Sequence, residues 1–169
     1  MKKPLVLLVL SFALAAMANA APRVGDSSTH TYLNIDEDGT RMTGTKSIEI
    51  LDIDAADAKN VLYTVQLTTT LDGNPTIEIE TDIYRADQVI SEEESAKMVA
   101  DCEKLGGRRE TFERDAIKLD ACVETYATNN EVGEIWVASV PFGIIKQKIR
   151  NPEINLEYST ELKSFVRGQ

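Results

Sequence analysis

The sequence predicts a mainly β fold of the α+β class, a strongly curved antiparallel sheet or half-barrel with one helix packed on it. Three observations predict this class. Apolar and polar residues alternate with a period of two through 61–71 and 76–84, as they do in strands with one covered face. The turn-forming pairs Asp38-Gly39 and Asp72-Gly73 stand between such segments, and connections this short join antiparallel neighbours. A single stretch, 91–107, carries helix start, stripe and stop signals in succession.

The first hairpin joins 31–35 to 42–53, and the slip of apolar parity between Ile50 and Leu51 predicts a β-bulge there. In 61–71, Val61, Tyr63, Val65, Leu67 and Leu71 share one parity while Thr64, Gln66, Thr68 and Thr70 share the other. The turn Asp72-Gly73-Asn74-Pro75 leads into 76–84, where Ile77, Ile79 and Ile83 oppose Glu78, Glu80 and Asp82. An aliphatic inner face and an acidic outer face are expected for this second hairpin.

Ser91 followed by Glu92, Glu93 and Glu94 offers a capping box, and its carboxylates suit the positive end of a helix. Met98, Val99, Cys102 and Leu105 then recur at helical spacing, with Gly106-Gly107 as terminator. Further strands are expected at 116–126, 131–140, 143–150 and 154–166. The segment 131–140 is apolar on both parities, Ile135 and Val137 on one, Trp136, Ala138 and Val140 on the other. It reads as a central strand under the helix. Pro141 cannot donate to a ladder, so Val140-Pro141-Phe142-Gly143 reads as a corner. The sheet is expected to be half closed around the helix.

At the start, Lys2 and Lys3, an apolar run from Leu5 to Met17 and the small residues Ala18-Asn19-Ala20 form a basic end, a greasy core and an A-x-A cleavage site. Residues 1–20 read as a cleaved secretory signal, too short to span a bilayer. No cysteine follows the small residues, so a lipid-anchored N-terminus is not expected. Residues 21–169 form one expected β-rich domain, outside the cytoplasm and in the periplasm or beyond. Of 18 basic and 28 acidic residues, 1–20 hold two lysines and no acids, so 21–169 carry 16 basic and 28 acidic residues, a net charge of −12. Such a field repels nucleic acid and anionic lipid headgroups, and it reads first as solubility.

Two cysteines in an exported chain most often pair, and a Cys102–Cys122 disulfide would tie the helix to the sheet. Redox catalysis favours C-x-x-C at a helix start, which this spacing does not provide. A zinc site is short of ligands, with Cys102, Cys122 and His30 alone. Asn34-Ile35-Asp36-Glu37-Asp38-Gly39 matches the first half of a calcium loop, but Thr45 stands where the bidentate glutamate belongs and Arg41 where an apolar anchor belongs. The stretch therefore reads as a solvated acidic hairpin. His30, the one histidine, lies near the expected mature N-terminus and reads as part of a fraying end or an edge strand, not as a catalytic base. There is no phosphate loop or dinucleotide fingerprint, and no cofactor or enzymatic activity is expected.

A curved sheet crossed by a helix encloses a cleft of the kind that holds lipids, and Trp136, Pro141, Phe142 and Gly143 could mark its lip. Their other role is to pack the helix against a sheet corner. Cys102, Gly106-Gly107, Cys122, Trp136-x-x-x-Val140-Pro141-Phe142-Gly143-x-x-Lys146 and Leu162-x-Ser164-Phe165-x-x-Gly168 together resemble a group of exported bacterial β proteins. That group is similar in outline to periplasmic lipoprotein-carrier-like domains, half-barrel sheets with a helical lid over an apolar cavity. The resemblance implies a non-spanning envelope protein that binds a lipid or another hydrophobic ligand. The alternative is a structural or protein-interaction module of the envelope, with an envelope protein as its partner.

Overall fold

The computed structural model describes residues 21–57, 60–74, 76–128 and 130–169. The expected export segment 1–20, and Pro75 in the expected turn, lie outside the described residues. The strands are β1 (Ser27–Ile35), β2 (Arg41–Asp54), β3 (Leu62–Leu71), β4 (Ile77–Arg85), β5 (Arg108–Arg114), β6 (Ile117–Ala127), β7 (Val132–Ala138), β8 (Ile144–Asn151) and β9 (Leu156–Val166). They form one antiparallel sheet in the order β4-β3-β2-β1-β9-β8-β7-β6-β5. The chain steps outward from β1 to the edge strand β4. A 3-10 turn (Ala86–Gln88) and the helix α1 (Glu92–Ala100) then carry it to the opposite edge, β5, from which it steps back to β9 beside β1.

Local signals account for several of these boundaries. Ser91 Oγ accepts from the Glu94 amide at 3.1 Å and the Glu94 carboxylate accepts from the Ser91 amide at 2.9 Å, so α1 starts on a complete capping box. Gly39 turns the first hairpin at φ +82°, a conformation that costs a side chain free energy. The β2–β3 register shifts between Ile50 and Asp52, where the parity slip places a bulge. The disulfide joins Cys102 to Cys122, both fully buried, and fastens the end of the helical segment to β6.

Four expectations are corrected. Strand β5 was not anticipated, because Arg108–Arg114 is almost wholly charged and only Phe112 within it is buried. Helix α1 ends at Ala100, and Leu105, expected on its apolar stripe, is 58% exposed in the turn that follows. His30 lies in β1, a strand flanked by β2 and β9, and not at a frayed edge. The β3–β4 register sets Val65 opposite Asp82 and Leu67 opposite Glu80, so the acids of β4 share the face of the buried β3 residues. The aliphatic side chains Ile77, Ile79 and Ile83 lie on the other face, exposed at 56%, 61% and 62%, and the acids are exposed as well.

The curl of the sheet is also opposite to expectation. Arg114, at the end of β5, donates to Thr31 Oγ1 in β1 at 3.0 Å and to the Glu161 and Leu162 carbonyls in β9, each at 3.1 Å. Four strands separate β5 from β1, and in a flat sheet the two would stand about 24 Å apart. The β5–β9 half therefore curls almost shut toward the face of Arg114, clasped by a side chain and not by a backbone ladder. Inside the curl lies a core of Phe112, Ala121, Val123, Trp136, Ile145 and Leu162. Each of the fully buried aliphatics Ile145 and Leu162 contributes about 2 kcal/mol of burial.

Cys122 has the opposite parity to Ala121 and Val123, so the disulfide and α1 sit outside this curl, against β6 and β7. Strand β7 is covered on both sides as its composition requires, with Trp136 toward the core and Val137, opposite Cys122, toward the helix. A second core, Ile50, Tyr63, Val65 and Val89, lies on the helix face of the β2–β4 half, with Phe142 packed against it.

Candidate ligand-binding cleft

Register brings one row of side chains from successive strands onto the helix face. Tyr158 in β9 pairs with Asn34, His30 with Lys46, Lys46 with Thr69, and Ile48 with Leu67. Paired residues project from the same side of a sheet. A groove of about 510 Å³ runs over this row, lined by Tyr32, Met42, Lys46, Leu67, Leu71 and Tyr158, with Glu78 and Glu80 of β4 along its outer margin. A second groove, of about 440 Å³, lies between the sheet and the segment leading into α1 and is lined by Ile48, Tyr84, Ile90, Phe142, Ile144 and Tyr158. Lys46 and Tyr158 line both, so the two grooves adjoin at these side chains, and together they are called the cleft.

Its walls are shaped by backbone. A Cβ on Gly44 would stand 1.9 Å from the Thr70 carbonyl oxygen and 3.0 Å from the Tyr32 ring, so only glycine lets β2 pass beneath that ring. The Val140–Gly143 corner holds Phe142 at φ +65° and Gly143 at φ +69°. A non-glycine residue in this region costs of order 1–3 kcal/mol. That strain is repaid by the Phe142 ring, which packs on the second core and forms part of the cleft wall.

Polar groups make up much of the lining, with Asn34, Thr69, Glu78 and Glu80 in the first groove and Ser28, His30, Gln88, Gln147 and Thr160 in the second. The Lys46 ammonium lies 4.9 Å from the centre of the Tyr32 ring and 5.5 Å from that of Tyr158, within the range of cation–π attraction. Among the described residues it forms no ion pair, and it is the one lysine or arginine lining either groove. Burial pushes the phenols of Tyr32 and Tyr158 up, which keeps both neutral at physiological pH. Ser28, also on the lining, is 1% exposed, and among the described residues its hydroxyl has no hydrogen-bond partner.

His30 Nε2 lies 3.0 Å from the Ile144 carbonyl in β8, across the intervening β9. A carbonyl only accepts, so the nitrogen is the donor and the neutral ring carries its proton there. Burial holds the ring's pKa below the ordinary histidine value; the Ile144 hydrogen bond opposes the shift and the Arg114 charge adds to it. As pH falls through about 6.5, the unfolded chain takes up a proton that the folded one resists, so stability is full above that pH and declines below it. The thermal midpoint is expected to fall with acidification more steeply in the wild type than in His30→Gln. Parallel profiles would remove this account.

Of the residues expected at the cavity lip, Phe142 lines the cleft, and Pro141 with Phe142 borders a small adjoining pocket beside Val89 and Ile90. Gly143 touches the run into the helix, since a Cβ there would meet Ile90 at 2.9 Å and Ser95 at 3.1 Å. Trp136 points the other way, into the core inside the curl, with its indole N–H donating to Glu110 at 2.8 Å. Of the four, only Phe142 therefore lines the cleft, while Pro141 and Gly143 pack beside it and Trp136 lies apart from it. Tyr32, Lys46 and Tyr158 were missed, and the parity of β1 and β2 was the available signal for the first two.

The acidic hairpin spends its groups on the turn: Asp36 accepts from Asn34 Nδ2 at 2.7 Å and Asp38 from the Thr40 amide at 2.9 Å. Among the described residues no three His, Cys, Asp or Glu side chains converge on a possible metal position. No helix of the described residues is long and apolar enough to cross a membrane.

No protein-family model and no curated protein matches the chain. Among solved structures it is similar to MucB in the Pseudomonas aeruginosa MucA/MucB complex, at 14% identity over 94% of this chain and 57% of that one, with a TM-score of 0.45. It is also similar to a protein with a YmcC-like fold from Bacteroides fragilis, at 11% identity over 87% of this chain and 98% of that one, with a TM-score of 0.43. This chain therefore spans little more than half the length of that MucB chain. At these identities the likeness is one of outline.

Proposed function

We propose that this is a non-catalytic protein of the bacterial envelope, most plainly of the periplasm, that holds an elongated amphiphile in the cleft between the sheet and the segment leading to the helix. The observation that carries the reading is the adjacency of two grooves at Lys46 and Tyr158, each of a volume typical of small-ligand sites and each with an aliphatic stretch in a mixed polar and apolar lining. An acyl chain would lie along Met42, Leu67, Ile48, Ile144 and Phe142, at about 0.8 kcal/mol per methylene removed from water. Its carboxylate or phosphate would sit at Lys46, whose ammonium rests on two tyrosine rings and has no carboxylate partner among the described residues. That contact, at hydrogen-bond distance, offsets the longer-range repulsion from Glu78, Glu80 and the acidic chain. The basic, apolar and small-residue sequence of 1–20 supports export.

Native mass spectrometry of the protein purified from envelope fractions is expected to show retained lipid. Titration with dodecanoate is expected to give saturable binding, and Lys46→Met should reduce the preference for dodecanoate over dodecanol about tenfold, the weight of one charge-assisted contact. Protein that emerges uniformly empty and takes up neither probe would end the proposal.

A further inference from the structure

The two edges of the sheet are finished differently. Edge β5 interleaves charges of both signs, and its Arg108 is tied to Glu110 and Glu134 at 2.8 and 2.9 Å. That is the usual defence of a free edge. Edge β4 is exposed at every residue except Tyr84 and carries Ile77, Ile79 and Ile83 on one face and Glu78, Glu80 and Asp82 on the other. An edge strand also leaves the outward half of its N–H and C=O groups without a partner strand. Three exposed β-branched side chains on a free edge are the combination that added strands use.

We infer that β4 is the docking edge for an extended segment of another protein, one that alternates aliphatic with lysine or arginine residues. The charge pattern selects this occupant. In a sheet, paired residues share a face, so a second copy pairing antiparallel through β4 about a two-fold axis must set acids against acids: Glu80 opposite Glu80 and Glu78 opposite Asp82. Like charges directly opposite are destabilising, which rules against self-pairing. A strand with basic residues at alternate positions meets all three carboxylates, lays its aliphatic residues beside the isoleucines, and is drawn in by a chain of net charge −10. Its basic side chains would come to lie along the margin of the cleft, where Glu78 and Glu80 stand.

The test uses capped peptides of nine residues, the length of β4, alternating valine with lysine, glycine with lysine, or valine with glutamate. The valine–lysine peptide is expected to bind about tenfold more tightly than either control, the sum of a few cross-strand pairs. It should slow amide exchange in β4 alone, and lose that affinity in the double variant Ile79→Lys, Ile83→Lys. Both positions are more than 60% exposed, so the variant is expected to keep its thermal midpoint, and dodecanoate binding in the cleft reports an intact fold separately. Equal binding of the glycine–lysine peptide would reduce the effect to bulk charge and overturn the inference. So would protection outside β4, affinity unchanged in the double variant, or a dimer of the free protein with β4 already protected.

Discussion

Removing the Cys102–Cys122 bridge is expected to destabilise the protein by about 3 kcal/mol, the chain-entropy value for a closed loop near the 20-residue separation seen here. For a chain of this size that corresponds to a fall in thermal midpoint of about 6–12 °C. The loss should be concentrated rather than spread. Helix α1 is nine residues long, too short to hold its shape without tertiary contacts. Its fully buried side chain is the small Ser95, while Met98 and Val99 are only half-buried. The sulfur bridge is thus the main tie between this segment and β6. The double variant Cys102→Ser, Cys122→Ser, followed by urea unfolding and by amide exchange, should show α1 opening well before β1, β2 and β9. A wild-type midpoint, or uniform loosening across the sheet, would mean that the helix is held by something else.

This dependence on one covalent tie was visible in the sequence because its parts are local. A capping box lies within four residues, and a strand reports itself through alternating parity. Hence α1, the β2 bulge and the hairpins could be placed without coordinates. Parity is silent, however, about which of two faces the rest of the chain covers. In β4 the isoleucines look like the inner face in isolation, yet the β3 register puts Glu78, Glu80 and Asp82 on the covered side. The direction of curl is a long-range property of the same kind, set by Arg114 reaching β1 and β9. Strand β5 was illegible for another reason, since an edge needs no apolar alternation and Phe112 alone reports burial.

The cleft was legible only where sequence neighbours build it. The corner 140–143 announces itself through Pro141 and Gly143, and two of its residues, Phe142 and Pro141, border the cleft or its adjoining pocket. Tyr32 and Lys46 lie on neighbouring strands of the β1–β2 hairpin, but Tyr158 joins them from β9 through a pairing that spans most of the chain's length. Trp136 illustrates the converse. It is six residues from Phe142 in sequence, but β7 presents it on the opposite face, where Lys146 lies over its ring at 5.3 Å. Proximity in sequence suggested a shared lip, and the corner after β7, with Phe142 at φ +65°, turns the two to opposite faces.

Phe142 offers the clearest separation of backbone strain from ring packing. Phe142→Ala removes the ring and leaves a side chain at φ +65°, and it is expected to cost about 2–3 kcal/mol, below the range for a fully buried phenylalanine because this one is only half-buried. Phe142→Gly removes the same ring but relieves the left-handed conformation, and it should be more stable than the alanine variant by about 1 kcal/mol. Urea unfolding should therefore order the proteins as wild type, then glycine, then alanine. Dodecanoate binding should not follow that order. Both variants delete the same piece of cleft wall, so both should lose affinity to a similar extent despite their different stabilities. If glycine proved no more stable than alanine, the positive φ would carry no strain. If binding tracked stability instead of the ring, Phe142 would support the cleft without forming its wall.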